Sequence, residues 1–495
     1  MASIDTLERE EYNGCMYVDK LEIDNFRCFE HTEFRLVHPD RTDWGEAGEP
    51  ALKNVNLFLG DNGSGKSSVF KAVAIGVLGQ LVGTQTEYLV RRSSAREDPE
   101  IEAARLRTTM KPHKLDPYTT HDFEVFDSQF SGINWPGPDG VEISLSDDDI
   151  FRPLTEIPWD RRSKDTSYRR SLTQIDLVNH SVWVTRVEDV DHIETRTADR
   201  AYWNSINQHS SSSYFLVGYG VGRRSERPEG YSEAVRLPRY QRVAGLFEDH
   251  VGLAPFTYAY LQIKENGYLD EALELLNRLL PNSVRITDRT DAQNRPVFSV
   301  ANVDLPFNVL SDGFRTYVGW LWDLMFQISV VQSQDPIASH RSLIDLEGVC
   351  IVDEIDLLLH PEWQRLVVKQ VAEAFPKIQF LFSTHSPIVA GTLHAANIFV
   401  LDDNKVEQYP ENIYGLTPNQ ILTSSYFGLS STRAPGTGTL SDQARRNLGI
   451  DESDPDPMAA VAVRERINQL IAQGVISSTT AKARPKTTRR KPTPE

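Results

Sequence analysis

The chain has 495 residues, with 52 Lys and Arg against 70 Asp and Glu, so its net charge is −18. Its 40% hydrophobic and 25% charged residues are typical of a globular protein, and the length predicts two to four domains. The acidic balance argues against a nucleic-acid binder with a wholly basic surface. Three cysteines exclude a disulfide scaffold. With no apolar run of about 18 residues and no signal-peptide pattern at the start, we expect a cytoplasmic protein without a membrane span.

Alternating apolar residues in the first part of the chain predict an antiparallel strand pair at 18–26 and 28–36. A short apolar run at 55–60 predicts a buried strand, and 67–81 has the spacing of a helix. The following stretch to about 212 is polar and weakly patterned, which we interpret as an insertion or lid. Its candidate strands lie at 122–126, 141–145 and 180–187.

The remainder of the chain is strongly patterned, with apolar strands and helices that alternate and so indicate a parallel sheet. Predicted strands lie at 213–220, 283–289, 295–300, 348–354 and 378–386, and predicted helices at 269–280, 311–331, 361–375 and 458–474. The last residues, 475–495, are rich in Thr, Lys, Arg and Pro and are predicted to be disordered.

A phosphate-binding loop is predicted at 60–67, where GDNGSGKS matches G-x-x-x-x-G-K-[ST] between a strand and a helix. Glycines let main-chain N–H groups surround phosphate oxygens, and the helix directs its positive end at the same anion. Lys66 is expected to reach the β- and γ-phosphates. The Ser67 hydroxyl is expected to bind Mg²⁺.

Two carboxylates, Asp353 and Glu354, follow the apolar strand that ends at Val352. An aspartate at the end of a core strand can hold Mg²⁺, and an adjacent glutamate can polarise the attacking water. Two solvated acids at a strand end are the alternative, which the upstream phosphate loop disfavours.

The segment Leu310–Arg315 precedes a long helix and resembles an ABC-type signature, in which Ser311 and Gly313 bind the γ-phosphate held by a partner subunit. A plain helix N-cap at Ser311 is the alternative. His385 ends the next apolar strand and could contact the γ-phosphate or orient water. Asp356 and His360 follow the carboxylate pair, and we expect them near a dimer seam.

These motifs together resemble the ABC-type ATPases of the SMC, RecF and OLD group. More narrowly, the chain is similar to the AAA_21- and AAA_15-type ATPases of bacterial anti-phage systems, among which Septu and retron-associated PtuA-like proteins match best. The resemblance is carried by LEIDNFRCF, GDNGSGKSS, YGVGRR, LSDGFR, VDEIDLLLHPEWQ and FSTHSP. These segments frame residues 18–410, with dense coverage of the first 80 or so residues and of 305–410.

The resemblance implies an ATPase that binds ATP and Mg²⁺ and closes as a head-to-head dimer. The implied fold is α/β: an ABC-ATPase-like P-loop head with N-terminal antiparallel strands, a parallel core sheet, an inserted α+β lid region and a helical C-terminal segment. Implied catalytic residues are Glu354 and His385, and implied metal ligands are Ser67 and Asp353. Implied nucleotide contacts are Asn62, Gly63, Gly65, Lys66, Ser67, Ser68, Ser311, Gly313 and Arg315. In the segment DLLLHP, Leu358 replaces a histidine that is usual in the family.

The expected domain boundaries follow from these motifs. An ATPase lobe at 1–85 precedes the insertion at 86–304, whose strand near 213–220 returns to the core, and a second ATPase lobe spans 305–410. A helical partner-binding segment follows at 411–474, and then the basic tail at 475–495.

Three weaker signals remain. The YGVGRR segment lacks the following helix of a dinucleotide fold, which excludes that interpretation. The resemblance to ATPases in which a YG-x-x-R segment lies near the nucleotide implies that Arg223 touches phosphate or the lid, with a surface loop as the alternative. The basic tail could touch nucleic-acid phosphates, or be a solvated end. Asp402, Asp403 and Asn404 are interpreted as a turn, which disfavours a fused Toprim nuclease.

The leading functional hypothesis is therefore an ATP-dependent dimeric switch of an anti-phage system that controls a separate effector, for which the resemblance implies an HNH nuclease. A RecF-like DNA repair or recombination ATPase shares the same chemistry. A structural scaffold that uses ATP with little hydrolysis is the third hypothesis, and Glu354 argues against it.

Overall fold

The computed structural model describes residues 17–44, 48–82, 103–111, 135–136, 142–143, 169–178, 181–189, 214–223, 238–281, 283–292, 295–334, 341–402 and 404–432. The predictions for 122–126, 458–474 and the basic tail lie outside this part of the chain. The chain divides into two compact units, Met1–Ile421 with Ser425–Phe427, and Leu422–Ser424 with Gly428–Glu495. The sheets and the site belong to the first unit. No helix in the described ranges is long and apolar enough to cross a membrane.

The core is a six-stranded sheet in the order β16-β15-β3-β14-β13-β9. Five strands are parallel, and β16 pairs antiparallel with β15 at the edge. Every residue of β13 and β14 is buried, as expected for parallel strands that are covered on both faces. The strands are β3 Val55–Gly60, β9 Leu216–Tyr219, β13 Gly348–Val352, β14 Ile378–Ser383, β15 Ile398–Asp402 and β16 Lys405–Glu407.

A second, antiparallel sheet has the order β2-β1-β4-β7-β8. Its strands are β1 Tyr17–Phe26, β2 Phe29–Arg35, β4 Ala103–Lys111, β7 Arg169–Val178 and β8 Ser181–Asp189. The last three come from the inserted region, so part of the insertion extends the N-terminal strand pair. Neither β4 nor β7 was predicted from the sequence.

The other strands in the described ranges form two smaller sheets. One is the antiparallel sheet β10-β11-β12, with Val284–Thr290, Pro296–Val300 and Val303–Pro306, which includes the predicted strand pair. The other joins the two-residue strands β5 Trp135–Pro136 and β6 Glu142–Ile143, where a longer strand was predicted at 141–145.

Helices pack on both faces of the core sheet. In chain order they are α1 Lys66–Leu78, α2 Pro238–Gln241, α3 Phe256–Glu265, α4 Leu269–Leu279, α5 Asp312–Gln334, α6 Pro361–Gln364, α7 Val367–Ala374, α8 Pro387–Ala390 and α9 Pro418–Leu422. The prediction of one continuous helix at 361–375 is wrong, because the structure has two helices there, separated by Arg365 and Leu366. There Leu366 N donates to the Trp363 carbonyl, a tight i→i−3 bond that ends the first helix.

The sheet separates two apolar cores, and side chains alternate between them along each strand. In β13, Cys350 and Val352 face the core that contains α5, whereas Val349 and Ile351 face the core that contains α1 and the N-terminal strands. The phosphate-loop helix and the signature helix therefore pack on opposite faces of one sheet.

Two buried amides join the N-terminal strands to the core sheet. Gln379 accepts from Val18 N at 2.8 Å and donates to the carbonyls of Val18 and Val37 at 2.8 and 2.9 Å. Asn56 exchanges hydrogen bonds with both main-chain groups of Val37. These bonds satisfy main-chain groups that would otherwise be buried without partners, and so they fix how the first strand lies on the core.

Candidate functional site

The phosphate loop joins the end of β3 to the start of α1, in the predicted strand–loop–helix context. Gly60, Gly63 and Gly65 have φ of 148°, 84° and 107°, a region that residues with a Cβ rarely adopt. At Gly65 space is lacking as well, because a Cβ would lie 2.6 Å from Phe29 Cζ. The glycines thus let the loop curl above the positive end of a 13-residue helix.

Lys66 is buried beneath this loop, and its ammonium group donates to the carbonyls of Gly60 and Asp61 at 2.7 and 2.9 Å. A lysine ammonium has three donors, so one remains for a phosphate oxygen. Burial lowers the pKa of Lys66, while the nearby carboxylates of Asp353 and Glu354 act to raise it. An anion on the loop would favour the charged form in the same way.

Ser67 and Asp353, the two predicted metal ligands, lie side by side. Ser67 Oγ donates to Asp353 Oδ2 at 2.6 Å, although 286 positions separate the two residues. The other carboxylate oxygen accepts from the hydroxyl of Ser383, at the end of β14. Because β3, β14 and β13 are adjacent parallel strands, their carboxyl ends bring all three side chains to one edge of the sheet.

Glu354 follows Asp353 in the left-handed conformation, with φ of 49°. Its main-chain N–H donates to Ser383 Oγ at 2.7 Å, and the next N–H, of Ile355, donates to the Ser383 carbonyl at 2.9 Å. The side chain is half-buried. Ser383 therefore holds both Asp353 and the main chain around Glu354, a role that the sequence analysis missed.

Arg223 is buried next to this pair, with 3% of its surface exposed, so the surface-loop alternative is wrong. Its guanidinium donates to the carbonyls of Gly220, Asp353 and Glu354 at 3.1, 2.5 and 2.7 Å. Burial lowers the pKa of Arg223 to about 10, against the raising effect of the neighbouring carboxylates, so the group stays charged at neutral pH. The segment YGVGR was the only sequence signal for this contact.

His385 is half-buried in the turn between β14 and α8. The hydroxyl of Thr384 donates to Asp356, and that of Ser386 donates to Gln364 at 2.7 Å. The turn that carries His385 is therefore tied to the loop that follows the carboxylate pair and to α6.

The signature segment is placed apart from these groups, at the start of the 23-residue helix α5 on the other face of the sheet. Ser311 is exposed, and its carbonyl accepts from Arg315 N at 2.8 Å as the first bond of the helix. A Cβ on Gly313 would lie 2.2 Å from the carbonyl oxygen of Leu358. The signature thus packs directly on the loop 356–359. The Arg315 side chain donates to Asp312 and to the Asn308 carbonyl.

The structure accordingly groups Lys66, Ser67, Asp353 and Glu354 at one end of the core sheet. Of the other predicted nucleotide contacts, Asn62 and Gly63 are exposed on the loop, whereas Ser68 is buried in the first turn of α1. No group of three or more His, Cys, Asp and Glu that could hold a metal occurs within the described ranges. A Mg²⁺ ion held by few protein oxygens, with water and phosphate completing its shell, fits Ser67 and Asp353.

This fold and site define an α/β P-loop protein of the ABC-ATPase-like head type. Residues 222–390 match the family described as AAA domain, putative AbiEii toxin, Type IV TA system, and residues 20–192 match a second family described as AAA domain. The chain is 28% identical over 431 residues to Septu protein PtuA of Bacillus mycoides (strain KBAB4), which is 86% of this chain and 46% of that protein. The resemblance predicted from the motifs is confirmed.

A second relative is the Retron Ec83 probable ATPase of Escherichia coli, 30% identical over 127 residues, or 25% of this chain and 22% of that protein. The chain thus spans less than half the length of these curated relatives. Among solved structures, an SMC head bound to the C-winged helix domain of ScpA aligns with 79% of this chain and 97% of its own, at 14% identity and a TM-score of 0.39. The recombination mediator RecF-ATPrS aligns with 80% and 100%, at 12% identity and a TM-score of 0.38.

Proposed function

We propose that this chain binds ATP with Mg²⁺ on the phosphate loop and hydrolyses it to ADP and phosphate. The observation that carries the proposal is the 2.6 Å hydrogen bond between Ser67 Oγ and Asp353 Oδ2. A hydroxyl and a carboxylate are the hard oxygen ligands that Mg²⁺ prefers, and they meet at the start of the phosphate-loop helix. Bound there, the ion would neutralise charge on the phosphates.

The roles of the other residues follow from their positions. Lys66 directs its third donor at the phosphates, and the loop N–H groups hold the phosphate oxygens. Glu354 accepts a proton from the attacking water, a contribution of about 10²–10⁴ in rate for a general base. His385 lies on the turn after the neighbouring strand, where it would donate to the γ-phosphate or orient this water.

We further propose that two chains close head to head, so that the signature of one copy completes the nucleotide site of the other. Support comes from the exposed Ser311 at the positive end of α5. Val309 and Leu358 flank it with 60% of their surfaces exposed, and exposed apolar side chains around a polar anion-binding group suit an interface. Closure would bury these side chains and bring Ser311 to the γ-phosphate of the partner's nucleotide.

The biological role that this switch supports best is anti-phage defence, with the closed dimer controlling a separate effector such as an HNH nuclease. The similarity to Septu protein PtuA over 86% of this chain, and to the Retron Ec83 probable ATPase over 25%, supports this role.

Phosphate release from Mg²⁺·ATP tests the activity. The wild-type chain should turn over, Lys66→Ala should lose nucleotide binding, and Glu354→Gln should bind ATP but hydrolyse it about 10²–10⁴-fold more slowly. A wild-type chain that binds ATP without releasing phosphate, alone or with a candidate nuclease, would support the scaffold hypothesis instead.

Phage plating tests the biological role. Cells that express the chain with a candidate HNH nuclease should resist phage, and Lys66→Ala should remove that resistance. ATP-dependent binding to gapped DNA, without any effect on plating, would favour the RecF-like alternative.

A further inference from the structure

We propose that Arg223 is a positioning residue for hydrolysis. Its guanidinium holds the main-chain carbonyls of Asp353 and Glu354 and so sets the direction in which the Glu354 carboxylate faces the nucleotide. The inference rests on the proposed ATPase function and extends it to a residue outside the nucleotide motifs.

Arg223 starts from a rigid turn after β9. A Cβ on Gly220 would lie 2.0 Å from the Gly245 carbonyl oxygen, and one on Gly222 would lie 2.5 Å from that of Asp249. Only glycine lets the turn lie this close to the segment 245–249. The main-chain carbonyl of Tyr219 also accepts from Asp353 N at 2.8 Å, which continues the pairing of β9 with β13. The base of the arginine is therefore fixed relative to the carboxylate pair.

Two residues, Arg223 and Ser383, hold the two peptide groups that flank Glu354. In the first peptide, Arg223 donates to the Asp353 carbonyl while the Glu354 N–H donates to Ser383 Oγ. In the second, Arg223 donates to the Glu354 carbonyl while the Ile355 N–H donates to the Ser383 carbonyl. The planar fork of arginine suits two neighbouring acceptors, which the single ammonium of lysine does not match.

This grip matters because Glu354 has φ of 49°, a conformation that a residue with a side chain keeps only where its surroundings impose it. Without Arg223 both carbonyls lose a buried donor, and rotation of the peptides would redirect the Glu354 side chain. Arg223 is also a buried cation beside Asp353, Glu354 and Asp356, so its charge offsets their mutual repulsion.

The test compares Arg223→Met with Arg239→Met. Arg239 is a matched control, since it is an equally buried arginine, 2% exposed, and donates to the Tyr214 carbonyl before the start of β9. Arg223→Met should lower kcat by roughly 100-fold, the size of a misplaced general base, and change KM less than about threefold. Arg223→Lys should recover only part of the rate. Arg239→Met should keep kcat within about twofold once the folded fraction is measured.

A double-mutant cycle separates positioning from general damage to the fold. If Arg223 acts through Glu354, Arg223→Met should cost nothing further in rate when added to Glu354→Gln. An equal loss of rate in both backgrounds, or a loss in Arg239→Met as large as in Arg223→Met, would overturn the proposal.

Amide hydrogen exchange supplies a readout that does not need turnover. Arg223→Met should speed exchange in the peptide spanning 349–357 and leave α5 unchanged, and equal exchange in wild type and variant would refute the grip itself. A wild-type chain without phosphate release refutes the ATPase function and this catalytic role with it, even where exchange in 349–357 rises.

Discussion

Replacing Gly313 with alanine should separate nucleotide binding from the chemistry that closure enables. The added Cβ would lie 2.2 Å from the carbonyl oxygen of Leu358, where ordinary contact begins at 3.4 Å, so the signature and the loop 356–359 must part by 1.2 Å. A main-chain oxygen cannot rotate away as the end of a side chain can. Overpacking of this kind typically costs about 1–3 kcal/mol.

Both displaced segments belong to the proposed dimer face, so the shift should reach the partner's nucleotide. A misplacement of about 1 Å can cost roughly 10²-fold in rate. We therefore expect Gly313→Ala to lower kcat by about this factor while the Kd for a fluorescent ATP analogue stays within about twofold, because the helix that carries the phosphate loop packs on the other face of the sheet.

Gly245→Ala is the matched control, since a Cβ there meets its nearest atom at 3.6 Å, which is ordinary contact. It should bind and hydrolyse ATP as the wild type does. A Gly313→Ala variant that hydrolyses ATP at the wild-type rate, or that loses nucleotide affinity as much as it loses rate, would contradict a role of the signature in closure.

Two further changes test the fold and the metal site. Gln379→Leu removes three buried hydrogen bonds: the N–H and carbonyl of Val18 lose their Gln379 partner, whereas the Val37 carbonyl keeps the Asn56 side chain as a donor. The change should cost about 3–6 kcal/mol in urea unfolding. Gln332→Leu loses one bond, to the Ser342 carbonyl, and should cost only about 1–2 kcal/mol. Equal losses would show that the Gln379 bonds do not fix the first strand. Ser67→Ala should raise the Mg²⁺ concentration for half-maximal hydrolysis by at least about tenfold, since it removes a ligand; an unchanged Mg²⁺ titration would exclude Ser67 from the metal site.

The parts of the site that follow from sequence are those whose geometry is local. Strand, glycine loop and helix are contiguous at 55–78, so the motif already implies the anion site. The meeting of Ser67 and Asp353 also followed from pattern, because the phosphate loop and Asp353 both follow buried strands whose carboxyl ends a parallel sheet brings to one edge.

The contacts that sequence reasoning missed involve the main chain of distant segments. Ser383 is one of many serines, and only the pairing of β14 with β13 brings it to Asp353. Arg223 donates to carbonyls about 130 positions away. Every residue has a main-chain carbonyl, so the sequence does not indicate which of them an arginine binds. The strand β4, with the sequence AARLRTTMK, was missed because small Ala104 and polar Thr108 share its buried face with Leu106 and Met110 and so weaken the apolar alternation. Its pairing with β1 depends on the tertiary structure.

The mass of Glu354→Gln by light scattering, with and without Mg²⁺·ATP, tests the central claim most directly. This variant should keep ATP bound and trap the closed state, so its mass should rise from 56.0 kDa towards twice that value at low protein concentration. Adding Lys66→Ala to the same chain should abolish the rise. If the mass of Glu354→Gln is the same with and without Mg²⁺·ATP while ATP binding is intact, the ATP-driven dimer is contradicted.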